Sequence, residues 1–147
     1  MNLIRKLGWA YAVMFFIVAS LAYIPGLTAE NGDLFGLFHL DLYDDALHFA
    51  SGLWAAFAAW QSTKDTIFYF KLFGSLYGLD GIIGLIFGQG YLDFGLLFYG
   101  ITQYPFMIKF FANLPHILIG GFAVYVGFVL SKQVLARQAG ASSDVYA

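Results

Sequence analysis

Apolar positions along this chain fall into four long runs separated by short polar or glycine-bearing connections. Each run is close to the roughly 20 residues a helix needs to cross a bilayer. The pattern predicts spans over about residues 7–27, 45–62, 66–88 and 113–134. Residues 135–147 then form a short tail, with Ala-Gly-Ala-Ser-Ser, expected to fray into solvent. Two connections are themselves apolar. One holds Asp33-Leu-Phe-Gly-Leu-Phe-His39 and the other Asp93-Phe-Gly-Leu-Leu-Phe-Tyr99. Residues 94–108 carry no charge until the lysine that follows, but Gly95, Gly100 and Pro105 interrupt them. They read as an interfacial or partly re-entrant segment and not as a fifth span.

A short motif opens the second and fourth spans. Asp45-Ala-Leu-His48-Phe-Ala-Ser-Gly52 and Asn113-Leu-Pro-His116-Ile-Leu-Ile-Gly120 share the form Asp/Asn-x-x-His-x-x-x-Gly. The chain thus reads as two tandem hairpins of one design: span, glycine, aromatic loop, His-bearing span. The first covers about residues 7–62 and the second about 66–134, as parallel repeats around an axis along the membrane normal. Helical spacing puts Asp45, His48, Gly52 and Ala59 on one face, and Asn113, His116, Gly120, Ala123 and Gly127 on another. Small residues at such spacing let helices approach closely, so both faces are expected to be buried against other helices.

Composition supports the bilayer as solvent. Hydrophobic residues make up 61% of the 147 and charged ones 11%, against about 25% charged in a soluble domain. Aromatic residues reach 20%, more than helix packing requires, so many are expected to face lipid or its interface. Charge sets orientation. Arg5, Lys6, Lys64, Lys71, Lys132 and Arg137 lie at one end of the predicted spans, and Glu30, Asp33, Asp41, Asp44, Asp45 and Asp93 at the other, with Lys109 as the only base there. Basic residues mark the cytoplasmic side, which places both termini in the cytoplasm of a multi-pass bacterial inner-membrane protein. The net charge of −2 points neither to nucleic acid nor to a strongly polybasic lipid surface, and the lack of cysteine removes thiolate metal sites, iron–sulfur clusters and disulfides.

Asp80 is the one acidic residue well inside a predicted span, roughly 12 Å from the outer end at about 1.5 Å per residue. A cluster of Asp45, His48, Asp80, Asn113 and His116 is therefore geometrically open. Three uses compete for it. In the structural one, Asp45 and Asn113 cap their helices, Pro115 sits harmlessly in a first turn, and each histidine holds its outer loop. In the second, His48 and His116 bind haem b axially, or hold a divalent metal with Asp80 as third ligand. In the third, Asp80 beside a histidine exchanges protons or handles a small substrate. His39 in the first outer loop is no functional candidate. Nothing pairs a nucleophile with its base, cradles phosphate or sets two hydrolytic carboxylates together, so no enzymatic activity is read.

The stretch from Leu34-Phe-Gly-Leu-Phe through Asp41 and Asp45 to His48 and Gly52 resembles a family of small four-helix bacterial membrane proteins of unknown function. Asp41 and Asp45 stand where that family tends to have Asn, and Phe49 where it has Leu. The second half matches through Asn113, His116 and Gly120, and the specific part covers about twenty residues around His48. The resemblance implies the four-helix layout and no activity. The expectation is a non-catalytic accessory or scaffold subunit, embedded in lipid and packed with other membrane subunits or further copies of itself.

Overall fold

The computed structural model describes residues 1–36, 38 and 42–143. His39 and Asp41 lie outside the described residues, as does the tail beyond Ser143. Helix α1 spans Leu3–Leu21, α2 Leu42–Gln61, α3 Thr63–Phe87 and a short α4 Gly95–Tyr99. Helix α5 spans Phe106–Tyr125 and runs through a π-turn, Val126–Leu130, into α6, Ser131–Ser143. Three of these are long and apolar enough to cross a membrane: α1, α3 and the continuous helix Phe106–Ala139. Helix α2 matches α1 in length, but Asp44, Asp45, His48 and Gln61 lower its mean hydropathy.

Local chemistry explains the helix ends. Ser62 caps α3, its hydroxyl accepting from Asp65 N at 3.1 Å. Gly88 closes the same helix at φ 84°, a left-handed conformation that favours glycine, and donates to Gly84 O. The tight α2–α3 junction is tied to the start of α1. Arg5 Nε donates to Ala59 O at 2.7 Å and Arg5 Nη2 to Trp60 O at 2.8 Å, satisfying carbonyls that the end of α2 leaves open. Thr66 Oγ1 closes the joint from inside by donating to Ser62 O at 2.7 Å.

Two helix pairs make the bundle. Helix α1 runs against α2, and α3 against α5, each antiparallel and packed through small residues. In the first pair Gly52 faces Phe16 and Ala12, and Gly8 faces Ala59 and Thr66. In the second, Gly74 lies on Ala123 and Val124, Gly78 on Gly120, Gly81 on His116 and Ile117, Gly84 on Asn113, and Gly127 on Lys71. A ladder of aromatic rings joins the pairs. Tyr11 and Phe15 of α1 meet Tyr69, Phe70, Phe73 and Tyr77 of α3 at centroid separations of 5.0–6.4 Å. Tyr11 also donates its hydroxyl to the Ile119 carbonyl of α5 at 2.8 Å.

The structure moves several predicted boundaries. Helix α5 begins at Phe106, so Asn113 is two turns inside it and Pro115 is in its interior. Residues 135–143 continue the helix as α6, where fraying was expected. Of the expected interfacial segment, Phe106–Ile108 belongs to α5. The remainder forms α4 and an irregular strip with Leu97, Phe98, Tyr99 and Ile101 turned outward.

Candidate functional site

The two motif histidines meet. Their rings lie parallel within 5°, with centroids 6.5 Å apart, where α2, α3 and α5 converge. Helix periodicity brings them there: Gly52 lets α2 close on α1, and Gly81 accepts the His116 Cβ directly against the α3 backbone. Tyr77, one turn before Asp80 on α3, touches both imidazoles. Its ring meets His116 edge-on at 4.5 Å, and its hydroxyl shares a 3.2 Å hydrogen bond with His48 Nε2. Phe15 covers the other face of His48 at 6.0 Å. His48 is 5% exposed and Tyr77 1%, so this polar contact is sealed inside the bundle.

Asp80 is 2% exposed and has a different task. The chain leaving α3 turns at Gly88 and folds back, so that Tyr91 N and Leu92 N donate to Asp80 Oδ1 at 2.6 and 2.9 Å. Gly90 permits this approach, because a Cβ there would lie 2.8 Å from both carboxylate oxygens. Asp80 Oδ2 is 3.9 Å from His116 Nδ1, beyond hydrogen-bond length, and that nitrogen has no other partner among the described residues. Gln89 Nε2 donates to Thr102 Oγ1, and Thr102 N to Phe87 O, closing the loop over the end of α3.

The motif's first residues do not join the histidines. Asn113 does not cap α5; its amide donates to Lys109 O at 2.9 Å, one turn back, while its side chain rests on Gly84. Asp45 lies in the first turn of α2 and accepts from the Tyr23 hydroxyl at 2.7 Å, which ties α2 to the chain leaving α1. That bond, and the Asp45 charge, hold the Tyr23 hydroxyl above its ordinary pKa. Gly52 and Gly120 are the contact points of the two helix pairs. The five residues expected to cluster thus fall into four contacts: the histidine pair with Tyr77, Asp80 with the loop and 3.9 Å from His116, Asn113 on Lys109 and Gly84, and Asp45 on Tyr23. Sequence reasoning also passed over Tyr77. The available signal was its place one turn from Asp80, since a buried tyrosine hydroxyl normally finds a partner.

Neither expected ligand fits these residues. Haem bound by both imidazoles needs a free ring nitrogen on each side and an open slot, whereas His48 Nε2 is engaged by the Tyr77 hydroxyl and His48 is 5% exposed. For a metal ion, no three histidine or carboxylate side chains converge among the described residues, and Asp80 Oδ1 is already engaged by the loop. Asp80 Oδ2 and His116 Nδ1, at 3.9 Å, are at ion-pair distance without a hydrogen bond. The contacts these side chains do make are to neighbouring helices and to the loop after α3. Replacing Tyr77 by phenylalanine keeps the ring on His116 but strands His48 Nε2 in an apolar interior. The expected loss is about 1–2 kcal/mol, the cost of an unpaired buried group, read as a lowered Tm in detergent. An unchanged Tm would show that the His48–Tyr77 bond carries no weight.

No family model, curated protein or solved structure matches the chain.

Proposed function

We propose that this chain is a non-catalytic scaffold or accessory subunit of a larger membrane assembly, crossing the bacterial inner membrane four times with both termini cytoplasmic. The observation that carries the reading is Tyr77: its hydroxyl engages the His48 Nε2 that a ligand would need, and its ring lies against His116, so one side chain joins α2, α3 and α5. The interior polar groups therefore serve to fix helix positions, and the outer surface is left for lipid and partner helices.

Helix α2 supports the fourth crossing despite its lower hydropathy. Its acidic residues are confined to the first turn, its small residues face α1, and Phe49, Leu53, Phe57 and Trp60 form an outward apolar stripe at helical spacing. The tandem-repeat reading is supported by the loops. Phe35 and Phe94, each followed by glycine, both take a left-handed backbone conformation at φ 55° and 65°, rare for a side chain of this size. The resemblance around His48 to small four-helix membrane proteins accords with this layout.

Native mass measurement in gentle detergent tests the proposal. The expected result is a species heavier than one 16.3 kDa chain, containing other subunits or further copies. A bare monomer with no co-purifying chain counts against the scaffold reading, and a stoichiometric haem absorption band overturns the bracing role of Tyr77.

A further inference from the structure

We propose that the outer groove between α3 and α5 seats one acyl chain of an anionic phospholipid whose phosphate rests on Lys71. The proposal rests on the membrane reading above. Where the two helices touch through glycine, their outward faces leave a groove of about 460 Å³. Its floor is the backbone at Gly78 and Gly121, and its walls are Leu79, Ile82, Ile117 and Val124. A Cβ at Gly121 would meet nothing within 4 Å, so this floor is open space and not a packed contact.

The groove ends at a cation. Lys71 precedes Ser75, Gly78 and Ile82 on the same face of α3, and Phe128 follows Gly121 and Val124 on the same face of the partner helix. The two stand about one turn beyond the lining residues Gly74 and Val124, with Lys71 Nζ 5.2 Å from the Phe128 ring centroid. Lys71 lies eight residues into α3, a depth of roughly 12 Å, from which its long stem reaches back towards the headgroups. Among the described residues no carboxylate forms an ion pair with it.

A cation at the mouth of an apolar groove calls for an anion that carries its own apolar tail. A neutral lipid fills the groove but leaves Lys71 without a counter-charge. A second copy of this chain has little to offer, because among the described residues Asp80 is turned inward and held by Tyr91 and Leu92, and Asp65, at the same end of α3 as Lys71, is engaged by Ser62 in the helix cap. An anionic glycerophospholipid of the cytoplasmic leaflet meets both demands at once.

The full chain in mild detergent is titrated with phosphatidylglycerol or with phosphatidylcholine of identical acyl chains, and bound lipid is counted by native mass spectrometry. One phosphatidylglycerol per chain is expected to be held in preference to phosphatidylcholine. Lys71→Gln lowers that affinity about fivefold, what one basic side chain contributes at an anionic surface, and Lys71→Arg retains it. Gly121→Leu fills the groove and removes retention of both lipids while leaving Tm unchanged. Equal binding of the two lipids, or undiminished binding by both Lys71→Gln and Gly121→Leu, overturns the site. Failure of the underlying membrane reading looks different: the chain would leave the membrane fraction in an alkaline wash without detergent.

Discussion

Gly120→Leu is expected to abolish the native bundle, whereas Gly121→Leu, one residue on, leaves it intact. The difference lies in what each position faces. At Gly120 the two helix backbones are in contact, and an added Cβ would overlap the Gly78 N and Cα atoms and press on the Tyr77 carbonyl carbon. These are main-chain atoms of α3, so no rotamer change relieves the overlap and the helices must separate. Separation also draws Tyr77 away from His116, whose ring it meets across this same seam. Extra carbons in a close-packed interior cost about 1–3 kcal/mol where neighbours can adjust, and more where they cannot. The expected loss for leucine is therefore above about 3 kcal/mol, with alanine at about 2–3 kcal/mol. Size-exclusion profiles and thermal unfolding in detergent read both. Native-like stability of Gly120→Leu would mean that the α3–α5 seam is not the contact described.

The same seam shows what the sequence discloses and what it hides. Apolar run length locates the long helices, and the small residues at helical spacing mark the faces that are in fact buried: Gly52, Ala55 and Ala59 on α2, Gly120 and Ala123 on α5. Run length fails at α5 because the start of that helix, Phe106 to Ala112, follows Pro105 and carries Lys109, which made Asn113 look like its mouth. The residue preceding proline is held extended, so a helix beginning directly after Pro105 is locally consistent. The meeting of His48 and His116 is foreshadowed only by the Asp/Asn-x-x-His-x-x-x-Gly spacing that the two share. Their chemistry is not, because it depends on Tyr77, an aromatic residue among many, whose hydroxyl acquires meaning only when α2 and α3 are set side by side. Asp80 is the sharpest case. A lone intramembrane carboxylate reads as a functional group by default. Its partners are main-chain N–H groups of a loop, and no side-chain pattern announces them.

Asp80→Ala is expected to loosen the loop after α3 and destabilise the chain by roughly 2–6 kcal/mol. The alanine removes the acceptor of Tyr91 N and Leu92 N together, and each buried donor left unpaired costs about 1–3 kcal/mol. The contact to His116 adds little to this loss, because at 3.9 Å it is no hydrogen bond. Asp80→Asn separates bracing from chemistry. An asparagine oxygen turned to the loop accepts the same two N–H groups, so a structural Asp80 tolerates the change with a small loss of stability. A group that carried protons or ligated a metal would be disabled as fully by asparagine as by alanine. Hydrogen exchange at the Tyr91 and Leu92 amides gives the local readout beside Tm: fast in Asp80→Ala, slow in the parent and in Asp80→Asn. Slow exchange in the alanine variant would show that the loop is held by Gln89, Thr102 and Phe87 without the carboxylate. Equal damage from both substitutions would return Asp80 to the functional role that its place in the sequence suggests.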